Sequence, residues 1–271
     1  MLTAAGTWKI DLNEPHQKYR LRSGEQVPGV TTVNGVFDKF ALRPWYADME
    51  RAGVLAVVQQ AFLDGIEWDA EHEVEKFLAE ITSRLPRTKD GKPAWFADIK
   101  KDKAADLGTV THARCEAFVK GPHELDEDGL SPELLRGSMP GFLRFQSLWA
   151  REGLTLLHSE LQMVSEKWRV GGTADIIARQ PDGRLRLLDI KTSKASKFWP
   201  YKDVFSQVAA YAEMYEEFSG NRIEVISVER IGKEENDPGQ SYTFTEAQRA
   251  AGVRRFLAAR EAYEADKELA P

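Results

Sequence analysis

Residues 172–192 read GTADIIARQPDGRLRLLDIKT, and this stretch decides the fold. Two runs rich in apolar residues, Thr173 to Arg179 and Arg184 to Thr192, flank the tetrapeptide Gln180-Pro181-Asp182-Gly183. Proline at the first turn position and glycine at the third favour a type I turn followed by a left-handed residue, which closes a three-residue hairpin loop. In such a loop Gln180 faces Arg184, so the residue numbers across the hairpin add up to 364. The stretch therefore predicts an antiparallel hairpin with a defined register.

Two carboxylates face each other in this register, because Asp175 lies opposite Asp189. They repel one another unless a cation lies nearby. Lys191 follows Asp189 by two residues, so both side chains point to one face of the strand. Two carboxylates beside an ammonium group are typical of a site for a hard divalent metal. Leu187 and Leu188 argue against an exposed ribbon, although a buried hairpin that holds a stray charge pair is the structural alternative.

The composition limits the class of protein. The chain has 271 residues, 42% hydrophobic and 30% charged, with a net charge of −6, which excludes a disordered or fibrous chain. No apolar run approaches the roughly 18 residues of a membrane span, and residues 1–15 lack the features of a signal peptide. We expect a soluble, cytoplasmic protein with no membrane partner. The single Cys115 excludes an iron–sulfur cluster, so any metal must bind oxygen or nitrogen ligands.

Periodicity and turn residues predict a division of the chain near residue 100. Residues 1–100 are predicted to form an N-terminal extension with a hairpin over Tyr19 to Val33 and two helices, and residues 101–271 a core. The acidic stretch Glu124 to Glu133 is expected to be an exposed loop. The remaining predicted elements are helices over about Pro44–Leu63, Ala70–Arg84, Asp102–Lys120, Pro140–Arg151 and Tyr201–Phe218, strands over Thr155–Ser165, Thr173–Arg179, Arg184–Thr192, Arg222–Ile231 and Ser241–Thr245, and a C-terminal helix.

Four short motifs follow one another along these elements. Gly172-Thr173-Ala174-Asp175 and Leu188-Asp189-Ile190-Lys191-Thr192 resemble the G-x-x-D and D-x-K halves of the PD-(D/E)xK nuclease signature. Gly108-Thr109-Val110-Thr111-His112 is similar to the upstream G-T-x-x-H helix of the RecB-like exonuclease branch, and Gln207-Val208-Ala209-Ala210-Tyr211 to its downstream Q-x-x-x-Y helix. Val27-Pro28-Gly29-Val30-Thr31-Thr32 is similar to the N-terminal region of phage-encoded exonucleases and of the mitochondrial genome maintenance exonuclease, although a serine usually follows the proline there.

The resemblance implies a fold and a set of roles. The fold is α/β, a restriction-endonuclease-like core of order α-β-β-β-α-β whose mixed sheet is flanked by helices, with a helical N-terminal extension. The implied metal is Mg²⁺ or Mn²⁺. Lys191 would orient or help to deprotonate the attacking water, and Gln207 and Tyr211 would brace the site from one helix face. The implied metal ligands are His112, Glu160, Asp175, Asp189 and the backbone carbonyl of Ile190.

Each of these roles has a plainer alternative. A lone helical histidine such as His112 is commonly a satisfied core residue. Glu160 has the character of an exposed strand carboxylate. Without the other motifs, Gln207 and Tyr211 are ordinary helix residues.

Basic residues concentrate after the hairpin turn. Between Arg184 and Lys202 six basic residues stand against the single acid Asp189. Such a patch would follow a phosphate backbone, and a neighbouring ring would stack on unpaired bases. The alternative is that the aromatic residues Phe198, Trp199 and Tyr201 cap the core where strand passes into helix. The predicted DNA contacts are Lys194, Lys197, Trp199 and Lys202.

Taken together, the sequence predicts a metal-dependent DNA exonuclease of phage type that degrades DNA from a free end in recombination, repair or replication. Its partners would be linear DNA and a single-strand-binding or recombination protein, and a phage-encoded enzyme would act in the host cytoplasm. A structure-specific or nicking endonuclease is the alternative within the same fold. A non-catalytic DNA-binding protein is the alternative from another class. No G-x-x-x-x-G-K-[ST] motif is present, so any motor would be a separate chain.

Overall fold

The computed structural model describes residues 7–9, 18–37, 43–65, 74–88, 91–121, 124–193, 200–232, 237 and 239–269. Contacts divide the chain into two units. We call Met1–Phe37 together with Asp106–Pro271 the core unit, and Asp38–Ala105 the helical unit. Residues 1–37 are thus grouped with the core by contacts, whereas the division near residue 100 stays a prediction about domains.

The elements largely follow the predicted order. In chain order they are β1 (Thr7–Lys9), β2 (Tyr19–Arg20), β3 (Gln26–Val27), α1 (Val30–Asn34), α2 (Arg43–Leu63), α3 (Val74–Arg84), α4 (Phe96–Lys120), β4 (Glu124–Asp126), α5 (Pro132–Glu152), β5 (Thr155–Ser165), β6 (Val170–Arg179), β7 (Leu185–Ser193), α6 (Lys202–Ser219), β8 (Val225–Gly232), β9 (Gln240–Thr243) and α7 (Glu246–Glu268).

A mixed sheet of order β5-β6-β7-β8-β9 lies at the centre of the core unit. Its strands pair antiparallel except for β7 and β8, which are parallel and are linked by the crossover helix α6. Apolar residues cover both faces: Leu187 packs in a cluster with α6 and α7, and Leu188 in a cluster with Cys115 of α4 and Phe145 of α5. This arrangement confirms the α/β core of order α-β-β-β-α-β flanked by helices.

The central hairpin has the predicted register. Ile176 pairs with Leu188 and Ile177 with Leu187, and both pairs add up to 364. The turn is closed by the Gln180 N–H, which donates to the Arg184 carbonyl at 2.9 Å. Gly183 has a φ of 90°, the left-handed conformation that this loop requires and that glycine adopts without strain.

The N-terminal hairpin is shorter than predicted. Its arms are β2 and β3, and the second arm ends before Val30, where the helix α1 begins. Val30 and Val33 are both buried in the core, and their spacing of three residues is helical rather than strand-like. The expectation of a strand continuing to Val33 was therefore wrong.

Other boundaries differ at helix ends. Helix α5 begins at Pro132, where the Ser131 side chain caps it by accepting the Leu134 N–H. The acidic stretch from Glu124 is therefore not all loop, since Glu124–Asp126 is strand β4, paired in parallel with β1. Helix α4 starts at Phe96, earlier than predicted.

The helical unit contains α2, α3 and the beginning of α4. Phe77 and Ile81 of α3 pack against Ala61 of α2. Among the residues described in either unit, no helix is both long enough and apolar enough to cross a membrane.

Candidate active site

His112 lies next to the sheet because helix α4 comes close to strand β7. A Cβ atom on Gly108, one turn earlier, would lie 3.0 Å from Thr192 Oγ1, so the glycine permits this close approach. The half-buried His112 places its Nδ1 atom 3.7 Å from Asp175 Oδ2. The upstream helix and the hairpin thus meet at these two side chains.

The strands β6 and β7 part at Asp175. Their paired residues end at Ile176 and Leu188, although the register would next bring Asp175 opposite Asp189. Just beyond, the Ile190 N–H donates to Asp175 Oδ2 at 2.7 Å. In a continued ladder that N–H would bond to a backbone carbonyl of the facing strand. The Asp175 side chain therefore replaces a backbone acceptor, and the hairpin is open at the level of the two aspartates.

A β-bulge determines which residue of β5 faces Asp175. Leu156 pairs with Ala178 but His158 pairs with Ile177, so Leu157 is an extra residue in β5. The shifted register brings Glu160 opposite Asp175, whereas an unshifted strand would have brought Ser159 there. Glu160 has a φ of 51°, a conformation that non-glycine residues rarely adopt and that is common at functional sites.

Three side chains converge as a candidate metal site. His112, Glu160 and Asp175 each offer a ligand atom, and these atoms lie within 4.8 Å of one another. Desolvation is the largest cause of a raised Glu160 pKa, and the negative charges of Asp175 and Glu116 add to it, so that the pKa rises to about 9. The residue nevertheless keeps much of its surface exposed. Crowded acidic groups of this kind are stabilised in the ionised form by a bound cation.

Asp189 and Lys191 form a second pair beside this group. Asp189 is only 1% exposed, and its Oδ2 atom lies 2.7 Å from Lys191 Nζ. Burial raises the pKa of Asp189 to about 6, against the opposing effect of Lys191. Desolvation lowers the pKa of Lys191, but the charges of Asp189 and Asp175 and the hydrogen bond to Asp189 together outweigh it and leave the Lys191 pKa raised. Asp189 Oδ1 accepts no hydrogen bond from any residue that the structure describes, so this buried oxygen still needs a partner.

Two of the motifs are in direct contact. A Cβ atom on Gly172, in the G-x-x-D motif, would lie 2.4 Å from Cε1 of Tyr211, in the Q-x-x-x-Y motif. The glycine therefore makes room for the ring, which is 4% exposed. Gln207 Nε2 donates to Tyr211 Oη at 3.0 Å. The Gln207–Tyr211 pair thus packs on the strand that carries Asp175.

Sequence reasoning missed Tyr19. Its hydroxyl lies 2.9 Å from Thr173 Oγ1, two residues before Asp175, and its ring covers Gly171, where a Cβ would lie 2.0 Å from Tyr19 Cγ. The Gly171 N–H donates to the Pro28 carbonyl at 2.9 Å, so the N-terminal segment lies along β6 where β7 has parted from it. The glycine pair 171–172, which leaves space for two rings, was the only local signal.

The predicted DNA contacts are only partly described. Lys202 is exposed at the first position of α6. Lys194, Lys197 and Trp199 lie outside the described residues. Arg186, one of the six basic residues of the predicted patch, is 4% exposed and pairs with Glu152 and Glu229 at 2.8 Å. It stabilises the sheet and is not available to DNA.

The chain resembles known structures at low sequence identity and one family model over most of its length. It matches a crystal structure described as SSO0001 with 18% identity and a TM-score of 0.31, over 48% of this chain and 60% of that one, so it spans less than two thirds of that protein. It matches a "Putative exonuclease" from Eubacterium rectale with 12% identity and a TM-score of 0.33, over 73% of this chain and 88% of that one. No curated protein matches the chain significantly.

The family model of the PD-(D/E)XK nuclease superfamily, however, matches residues 69–268, about three quarters of the sequence. The chain therefore belongs to the PD-(D/E)XK nuclease superfamily.

Proposed function

We propose that this nuclease is a metal-dependent DNA exonuclease of the RecB-like branch, and that the observed site performs the hydrolysis. One observation carries the proposal: the convergence of His112, Glu160 and Asp175 within 4.8 Å, beside the buried Asp189–Lys191 pair. The motif order and the contact between Gly172 and Tyr211 support the RecB-like assignment, because they join the G-x-x-D and Q-x-x-x-Y motifs physically.

The donor set suits Mg²⁺ or Mn²⁺. It consists of carboxylate oxygens and one imidazole, which hard divalent ions and Mn²⁺ accept. The Asp189 Oδ1 atom, buried and without a hydrogen-bond donor among the described residues, fits a further ligand position. The Ile190 carbonyl is proposed as an additional ligand. A bound ion supplies charge that polarises the phosphodiester and lowers the pKa of a water molecule.

The remaining groups orient the water and support the site. Lys191 is held by Asp189 at 2.7 Å, and we assign it the role of orienting the attacking water and stabilising the charge that develops on phosphate. Asp175 is fixed by the Ile190 N–H. Gln207 and Tyr211 brace the strand that carries Asp175, and Lys202 is proposed to contact the DNA backbone.

The alternatives differ in what they cleave. A structure-specific or nicking endonuclease would use the same residues on DNA without free ends. A non-catalytic DNA-binding protein would have no need of the Asp189–Lys191 pair, which this chain retains. We place the exonuclease in phage-type recombination, repair or replication in the cytoplasm, with a single-strand-binding or recombination protein as partner.

Digestion of end-labelled linear DNA and covalently closed DNA, each with Mg²⁺, Mn²⁺ or EDTA, tests the proposal. We expect mononucleotides from linear DNA only, in the presence of metal, and none from the Lys191→Ala variant. Lys167→Ala, which removes an exposed lysine in the turn between β5 and β6, is the matched control and should retain full activity. Nicking of the closed substrate would favour the endonuclease, and metal-independent binding without cleavage would favour the non-catalytic protein.

A further inference from the structure

A groove runs along helix α5 on the same side of the sheet as His112. Two adjoining cavities of about 310 and 430 Å³ form it, and both are lined by Arg144 and Ser147. The first extends to β8 and β9, and the second continues along the helix past Pro140. We call it the α5 groove, and its three α5 arginines are Arg136, Arg144 and Arg151.

Among the described residues that line the α5 groove, arginines outnumber acids, although the net charge of the chain is −6. Of the acids around it, Glu229 already pairs with Arg186 at 2.8 Å, and Glu152 pairs with both Arg186 and Arg151. Asp237 pairs with Arg230, which lines the same groove. Arg136 is exposed and forms no ion pair with any residue in the described part of the chain. A groove with a surplus of arginine attracts a polyanion, and the planar guanidinium matches phosphate oxygens.

The spacing of the arginines suits a nucleic-acid backbone. Arg136 and Arg151 are fifteen residues apart on one helix, so they span about 22 Å. That length corresponds to six or seven base-pair steps of DNA at about 3.4 Å each. Because one helix carries all three arginines, their spacing is set before any DNA binds.

The lining of the groove distinguishes paired from unpaired DNA. Proteins that hold single strands offer exposed rings on which bases stack. Phe145 is the one aromatic residue among the described residues that line the groove, and it is 2% exposed. The described lining therefore offers contacts to phosphates and no exposed ring to the faces of bases, as suits a strand whose bases are paired with its complement.

The α5 groove also adjoins the proposed active site. Arg230, which lines the groove, pairs with Lys191 in the register of the parallel strands β7 and β8. Neighbouring strands lie about 4.8 Å apart, so the groove ends one strand away from β7, on the face of the sheet where His112 lies. The Lys191 side chain points to the other face, that of Leu187, so the two faces meet only where the hairpin is open. We propose, resting on the nuclease function proposed above, that the α5 groove holds the phosphate backbone of double-stranded DNA that leads into the active site.

Binding of a fluorescent 20-base-pair duplex and of one of its single strands, measured by anisotropy in EDTA, tests this inference. The triple variant Arg136→Gln/Arg144→Gln/Arg151→Gln should bind the duplex at least tenfold more weakly. The slope of log affinity against log salt should become shallower by about 2 to 3, since each neutralised phosphate contributes about 0.9. Single-strand binding should change less than threefold.

The matched control removes three exposed arginines elsewhere, Arg22, Arg222 and Arg254, and should leave duplex binding unchanged. Arg136→Glu keeps the test valid if the triple variant folds poorly, because Arg136 is exposed; it should weaken duplex binding by at least threefold. Unchanged duplex binding, as expected if the groove holds an acidic protein instead, would overturn the proposal, and so would an equal loss of single-strand binding.

Mn²⁺-dependent cleavage of a labelled tetranucleotide, too short to span the groove, reports separately on the proposed nuclease, and its absence in the wild type would contradict that function alone.

Discussion

Replacing Gly172 with alanine should damage the site through Tyr211. The added Cβ would lie 2.4, 3.1 and 3.4 Å from Cε1, Cδ1 and Cζ of the Tyr211 ring. The ring is 4% exposed and cannot swing into solvent, so the overlap must be relieved by shifting buried groups. Overpacking of a core in this way costs about 1–3 kcal/mol. For a chain of this size, each kcal/mol lowers the melting temperature by about 2–4 °C.

Thermal unfolding in EDTA and nuclease activity in Mn²⁺ would measure both consequences. We expect Gly172→Ala to melt about 2–12 °C below wild type and to lose at least tenfold in activity, because Gln207 loses its partner when the ring moves. Tyr211→Ala removes the ring, so Gly172→Ala should cost less than about 0.5 kcal/mol in that background. Gly171→Ala is the matched control, since its Cβ meets Tyr19 instead and its cost should not depend on Tyr211. An equal cost of Gly172→Ala with and without the ring would refute the packing argument.

Three further perturbations test the site. Asp175→Asn removes a charge that raises the pKa of both Glu160 and Asp189, so the variant should be inactive and should melt about 2–4 °C higher than wild type in EDTA. Mn²⁺ at a hundredfold excess over its dissociation constant should stabilise the wild type by about 2.7 kcal/mol. The variant should gain less than half of that stabilisation. Mn²⁺ affinity, measured by calorimetry, should increase from pH 7 to pH 9, and each ion bound should release up to one proton. The reason is that Glu160 is mainly ionised, and so able to bind metal, only above its raised pKa. The same proton release in a Glu160→Gln variant would show that Glu160 is no ligand. Cys115→Ser should stay colourless, iron-free and active, and stoichiometric iron in the purified protein would contradict the absence of an iron–sulfur cluster. The variant should melt lower than Cys115→Ala, because the buried cysteine lies in an apolar cluster where a hydroxyl is unfavourable.

The central hairpin was predictable because its determinants are local. Pro181 and Gly183 specify the turn, and the turn fixes the register of every later pair. The order of helices and strands followed from periodicity in the same way. The helix α1 was missed because five residues are too few for a periodic signal, although Val30 and Val33 are spaced as in a helix.

The parts of the site that sequence reasoning missed depend on contacts between distant residues. Nothing near Leu157 marks the bulge that brings Glu160 opposite Asp175. Tyr19 contacts Thr173 across 154 residues of chain. In the sequence, Arg186 cannot be distinguished from a surface cation such as Arg184. Its burial depends on its ion-pair partners Glu152 and Glu229, which lie on other elements.

The irregularities of the sheet coincide at one level, and this coincidence links strain to function. The bulge at Leu157, the positive φ of Glu160 and the end of the β6–β7 ladder at Ile176 all occur beside Asp175. Each irregularity loses backbone hydrogen bonds or favourable backbone geometry. Bulges and strained residues of this kind are concentrated at functional sites. Here the result is that carboxylates from three strands approach one another without a covering ladder, and a cation bound among them would relieve their charge. The same feature that makes the site difficult to predict from sequence is what suits it to the metal that we propose it binds.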